Sequence, residues 1–522
     1  MKKIEIFDST LRDGSQGEGI SFSVHDKINI VRALDAFGVD YIEAGNPASN
    51  PKDLGFFSEI GGIKLTHAKL CAFGSTVRPG AKPEDDAALA SLLAANTPAV
   101  SIFGKAWDLH VDEILRVSRE ENLRMVRESV AYLVSCGREV IFDAEHFFDG
   151  YRANPEYALA VLASAAAGGA SVLALCDTNG GSLPETIAEV CARVSALYPD
   201  LRIGIHCHDD IGCAVASSMA AVRAGVTHVQ GTFIGFGERC GNADLSTIMA
   251  NLTFKCGMDL GIDLRALKET ARTIAEISNV RIRQGQPYIG RSAFAHKGGM
   301  HIDGVQKVSS SFEHIDPSLV GNERKFLVSE VAGRGTILPR VQKYAPHLTK
   351  QSPEIVELVE ELKQREYEGY QYEGAEASFE LLVKKKLGAW KPHFHVIMYK
   401  AIDDFPAPDG EMQSNAIVKI EVGGQTELAC ECGNGPVNAL DRAMRKAIRV
   451  FYPELDRMRL IDYKVRVINM AATDARVRVL IESSDAEDGK TFSTVGVSDD
   501  VIEASFTALV DSLEYKLSAK ET

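Results

Sequence analysis

The chain has 522 residues, 45% of them hydrophobic, 25% charged and 7% aromatic, with 44 Gly and only 18 Pro, which excludes collagen-like, Pro-rich and disordered classes. Fifty-seven Lys and Arg against 72 Asp and Glu leave a net charge of -15, a field that repels phosphate backbones and speaks against a nucleic-acid partner. The cysteines are scattered without a metal-type CxxC pair, and no apolar run approaches the roughly 20 residues of a membrane span, so reduced thiols, no membrane partner and a cytoplasmic location are expected. The first residues, MKKIEIFDSTLRDG, place Glu5 and Asp8 where a signal peptide needs an apolar core.

From residue 3 to about 257, short β-branched or apolar runs alternate with longer helical patterns. The predicted strands are Lys3 to Phe7, Val39 to Glu43, Lys69 to Phe73, Val100 to Phe103, Glu139 to Asp143, Ser171 to Cys176, Arg202 to His206 and His228 to Phe233. Helices follow them, for example Asp26 to Phe37 and Pro184 to Leu197. Eight βα units in such a length predict an α/β fold of the closed (β/α)8 TIM barrel type rather than an open doubly wound sheet. No Gly-x-Gly-x-x-Gly follows the first strand, which argues against a dinucleotide fold.

The expected domains are a catalytic barrel over 1–262, a helical linker region over 263–390, and a C-terminal α+β regulatory or dimerisation domain over 391–522. Ala266 to Ser278 and Pro353 to Glu368 read as linker helices, and Gln284 to Gly304 as a Gly-rich loop carrying ionisable and aromatic side chains. The last segment reads as a duplicated βββα unit. His393 to Tyr399, Ala416 to Val422 and Thr426 to Glu431 precede a helix from Pro436 to Val450; Asp462 to Asn469, Arg476 to Ser483 and Thr491 to Val497 precede one from Val501 to Leu517, with Asp499 or Asp500 as its N-cap.

Barrel chemistry is done at the C-terminal strand ends, and polar residues from several strands fall there: Arg12 and Asp13, Glu43, Asp143 and Glu145, Asp177 and Thr178, His206 and His208, and Glu238, Arg239 and Asn242. His206 and His208, spaced i, i+2, project from the same side of a continuing strand and can present two nitrogens to one metal, with Asp13 adding an oxygen. The alternative is that one histidine is a packed barrel residue. Arg12 is either a surface ion-pair partner or a group that stabilises developing negative charge on oxygen. Glu43 and Asp177 read as carboxylates that hold their neighbours by hydrogen bonds, and Cys240 as a small apolar filler.

Four segments carry a resemblance: DSTLRDG (Asp8 to Gly14), HCHDDIG (His206 to Gly212), GFGERCGNA (Gly235 to Ala243) and AHKGGMHIDG (Ala295 to Gly304). They resemble the metal-dependent (β/α)8 acyl-CoA carboligases, the 2-isopropylmalate, homocitrate and citramalate synthases. GNGPVNALDRAMRKAI (Gly433 to Ile448) looks like the amino-acid-sensing domain of that family, and Glu366 to Val383 looks most like its citramalate synthase branch.

The resemblance implies that Asp13, His206, His208 and Asn242 carry a divalent ion (Mg, Mn, Zn or Co). It implies that Arg12 polarises a keto oxygen, and that Glu145 and Thr178 lie around the keto-acid carboxylate and carbonyl. His301, with Asp303 nearby, resembles the linker histidine used for acid/base work in the barrel of a neighbouring subunit, which implies a homodimer; His296 is ambiguous. The implied reaction is a Claisen-type condensation of acetyl-CoA with a 2-keto acid followed by thioester hydrolysis. Pyruvate is the expected keto acid, giving citramalate on the route to isoleucine; Phe103 and Phe142 are each either a residue that closes the pocket around its methyl or a core aromatic. The C-terminal repeat is expected to bind isoleucine or leucine. Alternatives are a 2-isopropylmalate or homocitrate synthase using another keto acid, and a catalytically silent amino-acid sensor.

Overall fold

The computed structural model describes residues 3–49, 51–327, 334–404, 413–468, 475–485 and 491–518. Eight parallel strands close into a barrel in sequence order: β1 (Glu5–Asp8), β2 (Tyr41–Glu43), β3 (Lys69–Ser75), β4 (Ala99–Lys105), β5 (Glu139–Glu145), β6 (Val172–Asp177), β7 (Arg202–Cys207) and β8 (His228–Gly231). Closure is the pairing of β1 with β8, Glu5 opposite His228 and Asp8 opposite Gly231. The strands are buried on both faces, by the barrel interior and by the helices outside, which is why they read as apolar runs; every residue of β6 is buried.

The barrel interior is packed. Phe7, Tyr41, Cys71, Ala99, Ile141, Val172 and Ala174 form one apolar cluster. At the strand N-termini a polar network ties the staves together: Arg202 contacts both Glu5 oxygens at 2.9 Å and Glu139 at 2.6 Å, and Tyr41 donates to Glu139 at 2.9 Å. With that end locked and filled, the C-terminal strand ends are left to carry the chemistry.

The first helix begins at Val24, earlier than expected, because Ser23 and Asp26 form a reciprocal capping box; it ends at Gly38, whose φ of 101° lies in the left-handed region. Near its end Asp35 accepts four hydrogen bonds of 2.8 to 2.9 Å, from the Thr66 backbone and hydroxyl and from the backbone N–H groups of His67 and Ala68. Burial raises this carboxyl, but the four donors outweigh it and hold it below the ordinary aspartate value. Asp35→Ala should cost about 2 to 3 kcal/mol at pH 7, read as a lower thermal midpoint. A group with a lowered native pKa stabilises above its unfolded value and loses that contribution as pH falls through its folded value. The gap between wild type and variant therefore closes in acid, and a gap independent of pH would show that Asp35 acts through packing instead.

The C-terminal region folds as two βββα units. His395–Asp404, Gln413–Val422 and Gln425–Gly433 form an antiparallel meander before the Pro436–Ile448 helix, and Met458–Val467, Val477–Asp485 and Thr491–Ser498 form another before the Val501–Ser518 helix. The first helix buries Ala439, Leu440, Ala443, Met444, Ala447 and Ile448, a repeat matched to its turn, in a core with Ala416, Val418 and Ile420. Of the two expected N-caps, Asp500 accepts from Ile502 N at 2.7 Å, whereas Asp499 pairs with Arg476. Asn469, the expected last residue of one strand, lies outside the described residues.

Two compact units divide the chain, one comprising 1–294 and 314–324, the other 295–313 and 325–522. The segment 263–390 is thus shared: the Leu267–Ser278 helix contributes Leu267, Ala271 and Ile274 to the barrel-unit core, while the Pro353–Tyr367 and Glu376–Lys386 helices belong to the second unit. No described helix is long and apolar enough to cross a membrane.

Candidate active site

A cavity of about 250 Å³ at the C-terminal strand ends is lined by Arg12, Asp13, Gln16, Phe73, Phe103, Asp143, Glu145, Thr178, His206, His208 and Glu238, among others. Its first residues come from the turn after β1, where the backbone N–H groups of Arg12, Asp13 and Gly14 all converge on Ser9 O at 2.9 to 3.1 Å. That turn aims Arg12 and Asp13 inward.

Arg12 is held on two sides. Its Nε donates to Glu43 Oε2 at 2.6 Å, and its guanidinium carbon lies 3.9 Å from the Phe73 ring centroid. Glu43 is fully buried and also accepts from Ser9 Oγ at 2.5 Å. Burial pushes its carboxyl up and the Arg12 guanidinium pulls it back only in part. Glu43 thus holds its neighbour, as expected. Asp177 does the same elsewhere, accepting from the Ser182 backbone and hydroxyl and so clamping the loop after β6.

Asp13, His206 and His208 are all buried, and one ligand atom from each lies within 4.8 Å of the others, the one such group of metal-ligating side chains among the described residues. His206 Nε2 is 3.0 Å and His208 Nε2 3.6 Å from Asp13 Oδ2. Burial alone would raise the Asp13 carboxyl, but Arg12 and the two imidazoles outweigh it and keep it far below the ordinary range. Burial works against a charged His206, yet its bond to Asp13 prevails and raises it, whereas burial and the neighbouring His206 push His208 down to about 4. An anionic oxygen beside a neutral imidazole is a donor set for a divalent cation.

Asn242 completes this wall. Its backbone bridges to His208, and its Nδ2 lies 2.9 Å from Asp13 Oδ2 and 3.3 Å from His206 Nε2. Its Oδ1 is buried without a hydrogen-bond partner. Half a turn of the amide would bring that oxygen to the ligand atoms, so the residue fits a cation as the site now fits a hydrogen bond. Two glycines make this approach possible: a Cβ at Gly231 would fall 2.3 Å from Ala243 O, and one at Gly237 would fall 2.0 Å from Asn242 Oδ1.

Glu145, the last residue of β5, forms an ion pair with Lys105. Thr178 Oγ1 accepts from His146 N at 2.8 Å, which leaves its hydroxyl hydrogen free to donate into the cavity. Asp143 and Glu145 share strand parity and both line the cavity. Phe142, next to Asp143 in β5, has the opposite parity, so it points outward, fully buried against Gly104 and therefore not a pocket residue. Phe103, on the inward parity of β4, does line the cavity, stacked on Phe73 with centroids 5.5 Å apart.

His301 belongs to the second unit. It lies exposed on the Gly299–Lys307 helix with its ring stacked on Phe312 at 4.5 Å, while Asp303 pairs with Lys307. His296 bonds Glu313 at 3.0 Å. Sequence reasoning missed Phe73 and Lys105. The inward parity of Phe73 near the end of β3 was a usable signal, whereas the pairing of Lys105 with Glu145 depends on strand register.

The family models and the curated relatives agree with this architecture. Family models match consecutive segments: HMGL-like over 3–274, the homocitrate synthase post-HMGL domain over 288–368, and the LeuA allosteric (dimerisation) domain over 373–517. The (R)-citramalate synthase of Aquifex aeolicus is 50% identical, aligned over 100% of this chain and 99% of the relative; that of Geobacter sulfurreducens is 46% identical over 100% and 99%. A probable 2-isopropylmalate synthase of Methanopyrus kandleri is 32% identical over 97% of each chain. Among solved structures, the HMG-CoA lyase of Bacillus subtilis matches with a TM-score of 0.47 and 22% identity, covering 54% of this chain and 96% of that one.

Proposed function

The chain belongs to the (R)-citramalate synthase family, and from that premise we propose that it condenses acetyl-CoA with pyruvate, hydrolyses the thioester and releases citramalate and CoA. It would thus be an acyltransferase that converts the acyl group to alkyl on transfer, working in the cytoplasm on the route to isoleucine. The observation that carries the reading is the convergence of one carboxylate and two imidazoles, Asp13, His206 and His208, beside Arg12 in one buried cavity.

Asp13, His206, His208 and Asn242 would hold a divalent ion (Mg, Mn, Zn or Co), which when bound supplies Lewis-acid polarisation of the keto group. Arg12, braced by Glu43 and Phe73, directs its remaining N–H groups at the oxygen on which negative charge develops. Thr178 donates its hydroxyl to the keto-acid carboxylate. Glu145, its charge offset by Lys105, flanks the acetyl methyl, and His301 from a neighbouring copy in a homodimer takes the methyl proton. The new bond joins the acetyl methyl carbon to the keto carbon, and water cleaves the thioester.

The stacked Phe73 and Phe103 set two aromatic rings in the cavity wall, which supports a short keto acid such as pyruvate over bulkier ones. Free-thiol release from acetyl-CoA, measured with added divalent ion against pyruvate, 2-oxobutyrate, 2-oxoisovalerate and 2-oxoglutarate, should be strongest with pyruvate. Preference for 2-oxoisovalerate or 2-oxoglutarate would move the substrate assignment, and no release with any of them would overturn the condensing reading. Phe103→Ala should raise kcat/KM for 2-oxobutyrate relative to pyruvate by about tenfold or more; an unchanged ratio would remove Phe103 from selectivity.

The LeuA allosteric domain supports feedback control. A cleft of about 620 Å³ in the second unit brings Arg445 and Arg459 together with Asp441 and Asp456 and the apolar Val437, Met458 and Leu460. Those groups match the carboxylate, ammonium and branched side chain of isoleucine or leucine.

A further inference from the structure

Four buried side chains from four strands form one hydrogen-bonded chain that ends on His206. Ser101 Oγ on β4 donates to Asp143 Oδ2 on β5 at 2.6 Å, Gln230 Nε2 on β8 donates to Asp143 Oδ1 at 3.0 Å, and Gln230 Oε1 meets His206 Nδ1 on β7 at 2.9 Å. None of the four is more than 5% exposed. The register of β7 and β8 sets His206 opposite Gln230, and that of β4 and β5 sets Ser101 opposite Ile141, two residues before Asp143.

A count of donors and acceptors decides the direction of the whole chain. Asp143 accepts from Ser101 on one oxygen and from the Gln230 NH2 group on the other, so Gln230 turns its own oxygen to His206. An amide oxygen also only accepts, so the hydrogen between the two lies on His206 Nδ1. That leaves Nε2, the atom that meets Asp13 Oδ2 at 3.0 Å in the ligand cluster, as the nitrogen whose lone pair a bound cation would take. His208 has no such device: its Nδ1 is buried without a hydrogen-bond partner.

We propose that Gln230, oriented by Asp143, is a positioning residue that fixes the His206 tautomer and so commits Nε2 as a cation ligand. The proposal rests on Asp13, His206 and His208 being a metal site. Its consequence is an unequal pair of imidazoles, His206 locked in both rotation and tautomer and His208 locked in neither by a hydrogen bond to its far nitrogen.

The test is Zn(II) affinity of the full-length protein, measured by competition with a chromophoric chelator, together with the visible d–d bands of the Co(II)-loaded chain. Gln230→Leu removes both hydrogen bonds at similar volume and should weaken Zn(II) binding by about 10- to 100-fold and shift the Co(II) bands. Gln230→Glu faces one carboxylate with another and should weaken binding as well. Adding Asp143→Asn to Gln230→Glu keeps the wild-type net charge, gives residue 230 a donor partner and leaves it an accepting oxygen for His206, so affinity and bands should return towards wild type. A folded Gln230→Leu variant with wild-type affinity overturns the proposal, as does a double variant that binds no tighter than Gln230→Glu. If Gln230→Leu does not fold, the comparison of Gln230→Glu with the double variant decides alone. Failure of the wild type to bind Zn(II) or Co(II) instead overturns the metal site beneath the proposal.

Discussion

Asp13→Asn should abolish divalent-ion binding in a chelator competition and lower kcat by about a thousandfold or more, a loss of roughly 4 kcal/mol of transition-state stabilisation. Asp13 is the sole carboxylate in the ligand group found among the described residues. Its charge is kept at full strength because Arg12, His206 and His208 together outweigh the effect of burial on its carboxyl. Asparagine preserves the shape of the side chain but offers a cation only a neutral oxygen. Stability changes too. A carboxylate whose native pKa is lowered stabilises the fold above its unfolded value of about 4 and loses that contribution as pH falls. In metal-free protein the variant should therefore melt below wild type at pH 7, and the two midpoints should converge in acid. A variant that binds Zn(II) as tightly as wild type would remove Asp13 from the metal site.

Arg12→Lys separates chemistry from metal binding. It keeps the positive charge, so divalent-ion affinity should change little, but kcat should fall by about 100- to 1,000-fold. An ammonium cannot both hold Glu43 through a fixed N–H and present further donors in a plane, and it gives up the guanidinium contact over the Phe73 ring. Glu43 would keep its bond from Ser9 but lose its fixed cationic partner inside the protein, so a lower melting midpoint accompanies the kinetic defect. Steady-state kinetics with pyruvate and a parallel Zn(II) competition read the two effects separately. If kcat holds while the midpoint drops, Arg12 is a structural ion-pair partner and nothing more.

Much of this site was legible before any coordinates. A strand in a parallel barrel is buried on both faces, so it leaves an apolar run that ends where the chain reaches the rim, and polar residues just beyond such runs have one place to go. Arg12, Asp13, His206, His208, Glu145 and Thr178 were readable on that ground, and the structure brings them to one cavity. Of the two readings open for Phe142, pocket wall or core aromatic, the structure selects the core for an equally simple reason. Side chains alternate along β5, and inward placement of Asp143 and Glu145 leaves Phe142 facing the helices.

Sequence alone, then, determined the element order, the eight strands and the ends at which the polar groups emerge, because those depend on local periodicity. Tertiary structure alone decided which groups meet across strands. Lys105 reaches Glu145, Phe73 supports Arg12 and Gln230 joins Asp143 to His206 only once the barrel closes with a particular register. A shift of one residue in that register would turn each inward side chain outward, and no local pattern in the chain records which pairing the closed barrel selects.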